Sequence, residues 1–235
     1  MARVRLTRAE SQQQTRGHLL DAAEDLFRRQ GLHRTTVGQI ADEAGYTAGA
    51  LYSNFANKEE LALAVLGRST VDGFRSLGKA LASVDDVEAR LVRIIEWRQR
   101  QLVESEPFSV LRLELSLHAR SDETLRAHLA DAQRELRGAF TRLIERQAEE
   151  LGATLTVEPD VLSATLLGIA DGSAIAWAVE PDGPYGESFA WMLANVVRTM
   201  DPVPISDARW DSFVERLVTA ARARRRPARR RRRAS

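Results

Sequence analysis

Residues 35–61, TTVGQIADEAGYTAGALYSNFANKEEL, place three helix starts and one glycine turn within a single short stretch. Thr36 is an expected N-cap, with Gln39 three residues on to complete a capping box. Val37, Ile40, Ala41 and Ala44 repeat at helical spacing, and Gly45 ends that helix where a left-handed residue costs least. Thr47 caps the next helix, which buries Leu51 and Phe55 and leaves Ala48, Gly49, Tyr52, Ser53 and Asn54 pointing outward. Asn57, three residues before Glu60, caps a third helix starting at Lys58.

A helix, a glycine turn and an exposed short helix of about three turns suit the major groove, which admits one helix and presents donors and acceptors on base edges. Small side chains at 48–50 let the backbone approach closely. Tyr52 offers a ring for a thymine methyl or sugar and a hydroxyl for phosphate, while Lys58 stands at a helix N-terminus suited to an anion. A helical hairpin with ordinary caps would share each box singly, but not their order and spacing.

With the helix before it, this segment resembles the DNA-binding domain of the TetR family of transcriptional regulators over residues 15–66, through LLDAAEDLFRRQG, TTVGQIADEAG and TAGALYSNFANKEEL. The resemblance implies that the helix from Thr47 to Asn54 enters the major groove and that Thr36, Tyr52 and Lys58 hold phosphates. Two departures stand out: many members carry lysine where this chain has Ala48 and histidine where it has Asn54. Base preference therefore does not transfer with the fold.

The 235 residues suffice for a small domain and a larger one. The absence of cysteine excludes a disulfide framework and a thiolate metal site. No signal-peptide core is visible, and no apolar run is read as approaching the roughly 18 residues of a spanning helix, so a cytoplasmic, nucleoid-associated protein without a membrane partner is expected. Lysine occurs only at 58 and 79 among 34 basic residues, a bias that fits a GC-rich bacterial genome.

The net charge of +1 conceals an asymmetry. Residues 222–235, RARRRPARRRRRAS, hold nine of the 34 basic residues and no acid, leaving 25 basic against 33 acidic residues, a formal −8, for the remainder. Such a tail is expected to be disordered; it either binds phosphates without sequence preference or is merely solvated. Arg3, Arg5 and Arg8 make residues 1–12 a basic arm that either lies along DNA beside the reading helix or frays.

Beyond residue 60 the expectation is all-α, with residues 13–60 forming the helix-turn-helix domain and 61–221 a larger ligand-binding and dimerisation domain. Ser83 and Asp86 read as a capping pair before a helix carrying Val87, Leu91, Ile94, Ile95 and Leu102. LRLELSLH, with leucines at 111, 113, 115 and 117, alternates like a strand, but its helical flanks favour a short helix buried on both sides. Leu125, Leu129, Ala132, Leu136, Phe140, Leu143 and Gln147 trace a long helix ending near Gly152. Pro159 opens another whose small residues Ala164, Gly168, Gly172 and Ala176 recur every fourth position. Phe189, Met192, Leu193, Val196 and Val197 mark the helix after it. The resemblance makes these two helices a four-helix homodimer interface, with Ala164, Gly168, Gly172, Phe189, Leu193 and Val196 at its centre; otherwise they fill an intramolecular core.

An effector site is sought among Trp97, Arg98, Phe108, Glu114, His118, Phe140, Asp171 and Trp177. Arg98 lies on an apolar helix face and wants a partner, either Glu114 or Asp171, while the aromatic residues either wall a cavity or fill the core. Glu114 and His118 could share a helix face, yet no metal spacing, nucleophile elbow or phosphate loop accompanies them, so neither an enzyme nor a cofactor is expected. The sequence thus points to a regulator that binds a palindromic operator as a dimer and represses until a small molecule binds. The alternative is a ligand-independent or tail-driven, non-specific DNA-binding protein.

Overall fold

A computed structural model describes residues 7–82, 84, 86–104 and 106–222. Among the described residues ten helices follow one another: α1 (Arg8–Arg34), α2 (Val37–Ala44), α3 (Ala48–Tyr52), α4 (Lys58–Leu81), α5 (Val87–Glu104), α6 (Glu106–His118), α7 (Glu123–Glu150), α8 (Pro159–Val179), α9 (Tyr185–Val197) and α10 (Asp207–Arg222). The strands Thr154–Leu155 (β1) and Met200–Asp201 (β2) pair antiparallel, a small addition to the all-α expectation.

The chain divides into two compact units, the first made of residues 1–72 with 107–132 and the second of 73–106 with 133–235. The single cut anticipated near residue 60 therefore does not match the packing. Phe108, Leu111, Leu115, Leu125 and Leu129 complete the same core as Leu19, Phe27, Ile40, Leu51, Phe55 and Val65, so that α6 and the start of α7 add to the apolar surface that α1 to α4 bury. Arg68 of α4 further ties this unit together, its guanidinium meeting Asp21 at 2.6 Å and Glu24 at 2.5 Å on α1.

The second unit centres on Leu91, Ile95, Phe189, Leu193, Val197, Phe213 and Leu217, contributed by α5, α9 and α10. A smaller cluster joins Ile144 of α7 to Leu162 and Leu166 of α8. The sequence reading did not isolate α10, although Trp210, Phe213, Leu217 and Ala221 carry a helical period in the stretch just before the arginine tail.

Several expectations change. Residues 8–12 are helical rather than an arm, because Thr7 and Glu10 form a capping box at 3.2 and 2.7 Å. Arg3, Arg5 and Ser83 lie outside the described residues, as does the tail beyond Arg222, which ends α10 near Glu187. Asp86 is itself the cap of α5, accepting from the Ala89 amide at 2.9 Å. LRLELSLH is helical, but only Leu111 and Leu115 are buried; Leu113 and Leu117 are 39% and 55% exposed, so one of its two leucine faces is open in the single chain. By length and composition α8 is apolar enough to cross a membrane, contrary to the reading that no such run exists.

Candidate nucleic-acid interface

The turn architecture read from the sequence is present. Thr36 accepts from the Gln39 amide at 3.2 Å while the Gln39 side chain accepts from the Thr36 amide at 2.9 Å. Gly45 takes φ 74° and ψ 29°, the left-handed conformation that reverses the chain without a Cβ clash. Thr47 accepts from the Ala50 amide at 3.2 Å to start α3. Asn57 accepts from the Glu60 amide at 2.7 Å, and Glu60 accepts in turn from the Ala56 amide at 2.6 Å.

Leu51 and Phe55, both essentially buried, fasten α3 to the core. Thr36, Thr47, Ala48, Gly49, Tyr52 and Ser53 are exposed, Tyr52 to 58%. The helix expected to read DNA, α3, is shorter than the three turns anticipated: it spans five residues, and Ser53 stands as its C-cap. The Ser53 hydroxyl donates back to the Gly49 carbonyl at 2.9 Å, leaving an oxygen lone pair outward.

Two expected DNA contacts sit differently. Asn54 is half-buried and folded back on α3, with Nδ2 donating to the Ala50 carbonyl at 2.8 Å and Oδ1 buried without a hydrogen-bond partner. It therefore does not present an outward-facing amide. Lys58 extends its ammonium to the Leu32 and Thr35 carbonyls, each at 2.9 Å, so two of its three donors close the end of α1.

The turn that Lys58 closes is held from a second side by Glu114, whose Oε2 accepts from the Leu32 amide at 2.8 Å. Gly31 takes φ 79° and ψ 171° there, and a Cβ on it would lie 3.3 Å from Glu114 Oε1. Sequence spacing gave no hint of this contact across 82 positions. Arg16 was also missed: it donates to the Asn54 carbonyl at 2.6 Å with its guanidinium 4.0 Å above the Phe55 ring.

The eight residues considered for an effector site do not form one group. Phe108, Glu114 and His118 belong to the first unit: Phe108 is buried beneath the Arg28 guanidinium, Glu114 serves the α1–α2 turn, and His118 is exposed. Trp97, Arg98, Phe140, Asp171 and Trp177 belong to the second. There Arg98, buried on α5, donates to the Ala170 carbonyl and lies over the Phe189 ring at 5.7 Å. Trp97 has its indole nitrogen buried without a partner, and Phe140 faces Phe74 with centroids 6.0 Å apart. Among the described residues, no group of three or more histidine or acidic side chains is arranged to hold a metal ion.

The small-residue stripe of α8 is exposed at Ala164, Gly168 and Gly172, beside Val161 and Ile169. It does not fill the intramolecular core. Phe189 and Leu193 do, so they cannot also face a partner, and Val196 packs half-buried against the Ile144 cluster. Trp191, 61% exposed, is the large side chain that α9 turns outward.

Comparison with known proteins follows this geometry. Residues 19–65 match the model of bacterial regulatory proteins of the tetR family, and residues 87–202 match that of the C-terminal region of BetI-type transcriptional repressors. The regulator TtgR of Pseudomonas putida is 42% identical over 85 residues, 36% of this chain and 40% of its own length. The chain thus spans well under half of that relative. The nicotine-responsive repressor HdnoR of Paenarthrobacter nicotinovorans is 24% identical over 72% of this chain and 86% of its own. A putative transcriptional regulator from a Rhodococcus species shares the fold at a TM-score of 0.66, with 20% identity over 85% of this chain and 98% of its own. FadR of Bacillus subtilis, solved with stearoyl-CoA, gives 0.55 with 18% identity over 87% of this chain and 98% of its own. The two family matches together cover more than half of the sequence, and with the capped helix–glycine turn–helix in place the chain belongs to the TetR family of bacterial transcriptional regulators.

Proposed function

We propose that this protein is a homodimeric, sequence-specific DNA-binding regulator that reads a palindromic operator through α3 and represses until a small molecule bound by the second unit releases it. The observation that carries the reading is α3 itself, backed by buried Leu51 and Phe55 and open along Thr47, Ala48, Gly49, Tyr52 and Ser53. Glycine and alanine let its backbone come close to base edges, whereas Thr36 and Tyr52 supply hydroxyls for phosphates. Lys58 contributes its remaining N–H, and Asn54 acts by shaping the end of α3 rather than by reading a base.

Two copies are required because one five-residue helix reads too few base pairs, and half-sites lie one helical turn or a multiple of it apart, about 34–36 Å. The open stripe Val161, Ala164, Gly168, Ile169 and Gly172, with Trp191 beside it in chain order on α9, supports α8 and α9 as the mating surface. In the second unit Trp97, Arg98, Phe140, Asp171 and Trp177 remain the candidates for contacting an effector, and His118 has no place in that group. A regulator of this kind works in the cytoplasm on nucleoid DNA.

The test is selection from random duplexes with the full-length chain. The expected product is an inverted repeat with half-sites about 10 base pairs apart or a multiple of it. No enriched sequence, or a lone half-site, would refute the reading. Release is tested separately: operator affinity is compared with and without each compound that raises the protein's melting temperature, and equal affinity at saturation would remove the allosteric claim alone.

A further inference from the structure

A helix as short as α3 cannot hold its own pose, since one turn of helix barely repays its nucleation. Both of its ends are tied to the same turn of α1. On the entry side the Tyr46 hydroxyl lies 3.0 Å from Nδ1 of His18. On the exit side the half-buried Arg16 donates to the Asn54 carbonyl at 2.6 Å, and its guanidinium lies 4.0 Å above the ring of Phe55, itself 1% exposed.

The exit-side tie has a direction. Carbonyls just past a helix C-terminus lack intrahelical donors and carry the negative end of the helix dipole, so a cation there is both a hydrogen-bond donor and a favourable charge. A guanidinium also has a plane, which stacking on Phe55 orients. Asn54 closes the inner side, its Nδ2 on the Ala50 carbonyl and its Oδ1 buried. A rotation of α3 would carry the Asn54 carbonyl away from the Arg16 guanidinium.

We propose that Arg16 is a positioning residue for sequence reading, fixing the pitch of α3 against α1 so that residues 48–53 meet base edges in one register, and that it does not contact phosphate. This rests on α3 being the reading helix.

The experiment uses the full-length chain, the duplex enriched by selection, and a random duplex of equal length, with Arg16→Gln and Arg16→Lys as variants. Affinity for both duplexes is measured across a salt series, alongside the melting temperature. In Arg16→Gln the ratio of selected to random affinity is expected to fall at least about tenfold, while the slope of log affinity against log salt stays at the wild-type value, because no phosphate contact is lost. Arg16→Lys, which keeps the charge and a donor without the stacked plane, is expected to fall between. It also carries the comparison should the glutamine variant melt too low to assay. A ratio within about twofold of wild type in the folded variants would overturn the proposal. So would a slope smaller by about one with the ratio intact, which is the mark of a phosphate contact. A wild-type chain that selects no sequence ends the reading of α3 and this proposal together, whereas one that selects a site yet is indifferent to Arg16 ends this proposal alone.

Discussion

Removing the Glu114 carboxylate should loosen the turn between α1 and α2, and the cost can be worked from the contacts there. Glu114 Oε2 is the acceptor, at 2.8 Å, for the amide of Leu32, a residue with no exposed surface. Orphaning a buried amide costs about 1–3 kcal/mol. Glu114 itself is only half-buried, so water reaches the space left by Glu114→Ala, and the expected loss is about 1–2 kcal/mol. Gly31→Ala acts on the same turn by another route. At φ 79° and ψ 171° a side chain is strained by about 1–3 kcal/mol, and its Cβ would also crowd Glu114 Oε1 at 3.3 Å. The crowding disappears in a Glu114→Ala background while the backbone strain stays, so the double-mutant cycle should show Gly31→Ala costing less there, but still something. Amide hydrogen exchange at Leu32 is the direct assay, backed by urea unfolding. A loss of 1–2 kcal/mol should speed that exchange by about 5–30-fold. Exchange within about twofold of wild type in Glu114→Ala, or a neutral Gly31→Ala, would refute the account of this turn.

Other expectations follow from the remaining contacts. Gly168→Arg builds into open space in the single chain, so it should leave helical content intact and yet reduce the mass measured by light scattering from two chains to one. The carboxyl of Glu150 is held below its ordinary range chiefly by the hydrogen bond from Arg90 at 2.6 Å. Its contribution is therefore full above the ordinary carboxylate range and lost as pH falls beneath that range through the lowered value. Melting temperatures across that window should show a shallower acid limb in Arg90→Gln. Truncation after Arg222 removes eight arginines, and it should weaken random-duplex binding and flatten its salt dependence while preference for the selected site persists.

What could be read in the sequence was local. The capping box at Thr36, the side-chain cap at Asn57, the left-handed Gly45 and the periods of α2 and α7 are each specified within one or two turns of chain, and they stand where spacing put them. The errors came where a distant segment decides. Lys58 looked free because its acceptors, the Leu32 and Thr35 carbonyls, lie more than 20 positions away. Glu114 was offered to Arg98 or to a ligand because nothing in its own helix announces an amide 82 positions earlier. Phe189 and Leu193 were placed in a mating surface because a helix wheel shows that a face is apolar but not which neighbour covers it. Only the chain's path through α10 does that, bringing Phe213 and Leu217 against them. The effector residues failed as a set for the same reason, since the first unit takes back residues 107–132 to complete its core.

The open face of α8 is where membrane and partner readings compete, and the other face of the same helix decides between them. Leu162 and Leu166 are buried against Ile144 of α7, Asp160 is bound to Arg137 at 2.9 Å, and the buried Ser163 hydroxyl accepts from Thr141 at 2.9 Å. That face is thus fastened to a helix crowded with arginine and glutamate, which could enter a bilayer only at several kcal/mol for each charge. The remaining stripe holds two glycines at which a Cβ would meet nothing within 4 Å, so the chain's own packing gives no reason for them. Each costs about 0.8–1 kcal/mol of helix stability relative to alanine. That cost is offset when a second backbone approaches closely along the stripe, and a two-fold axis through a self-complementary surface lets one copy of α8 serve as that backbone for the other.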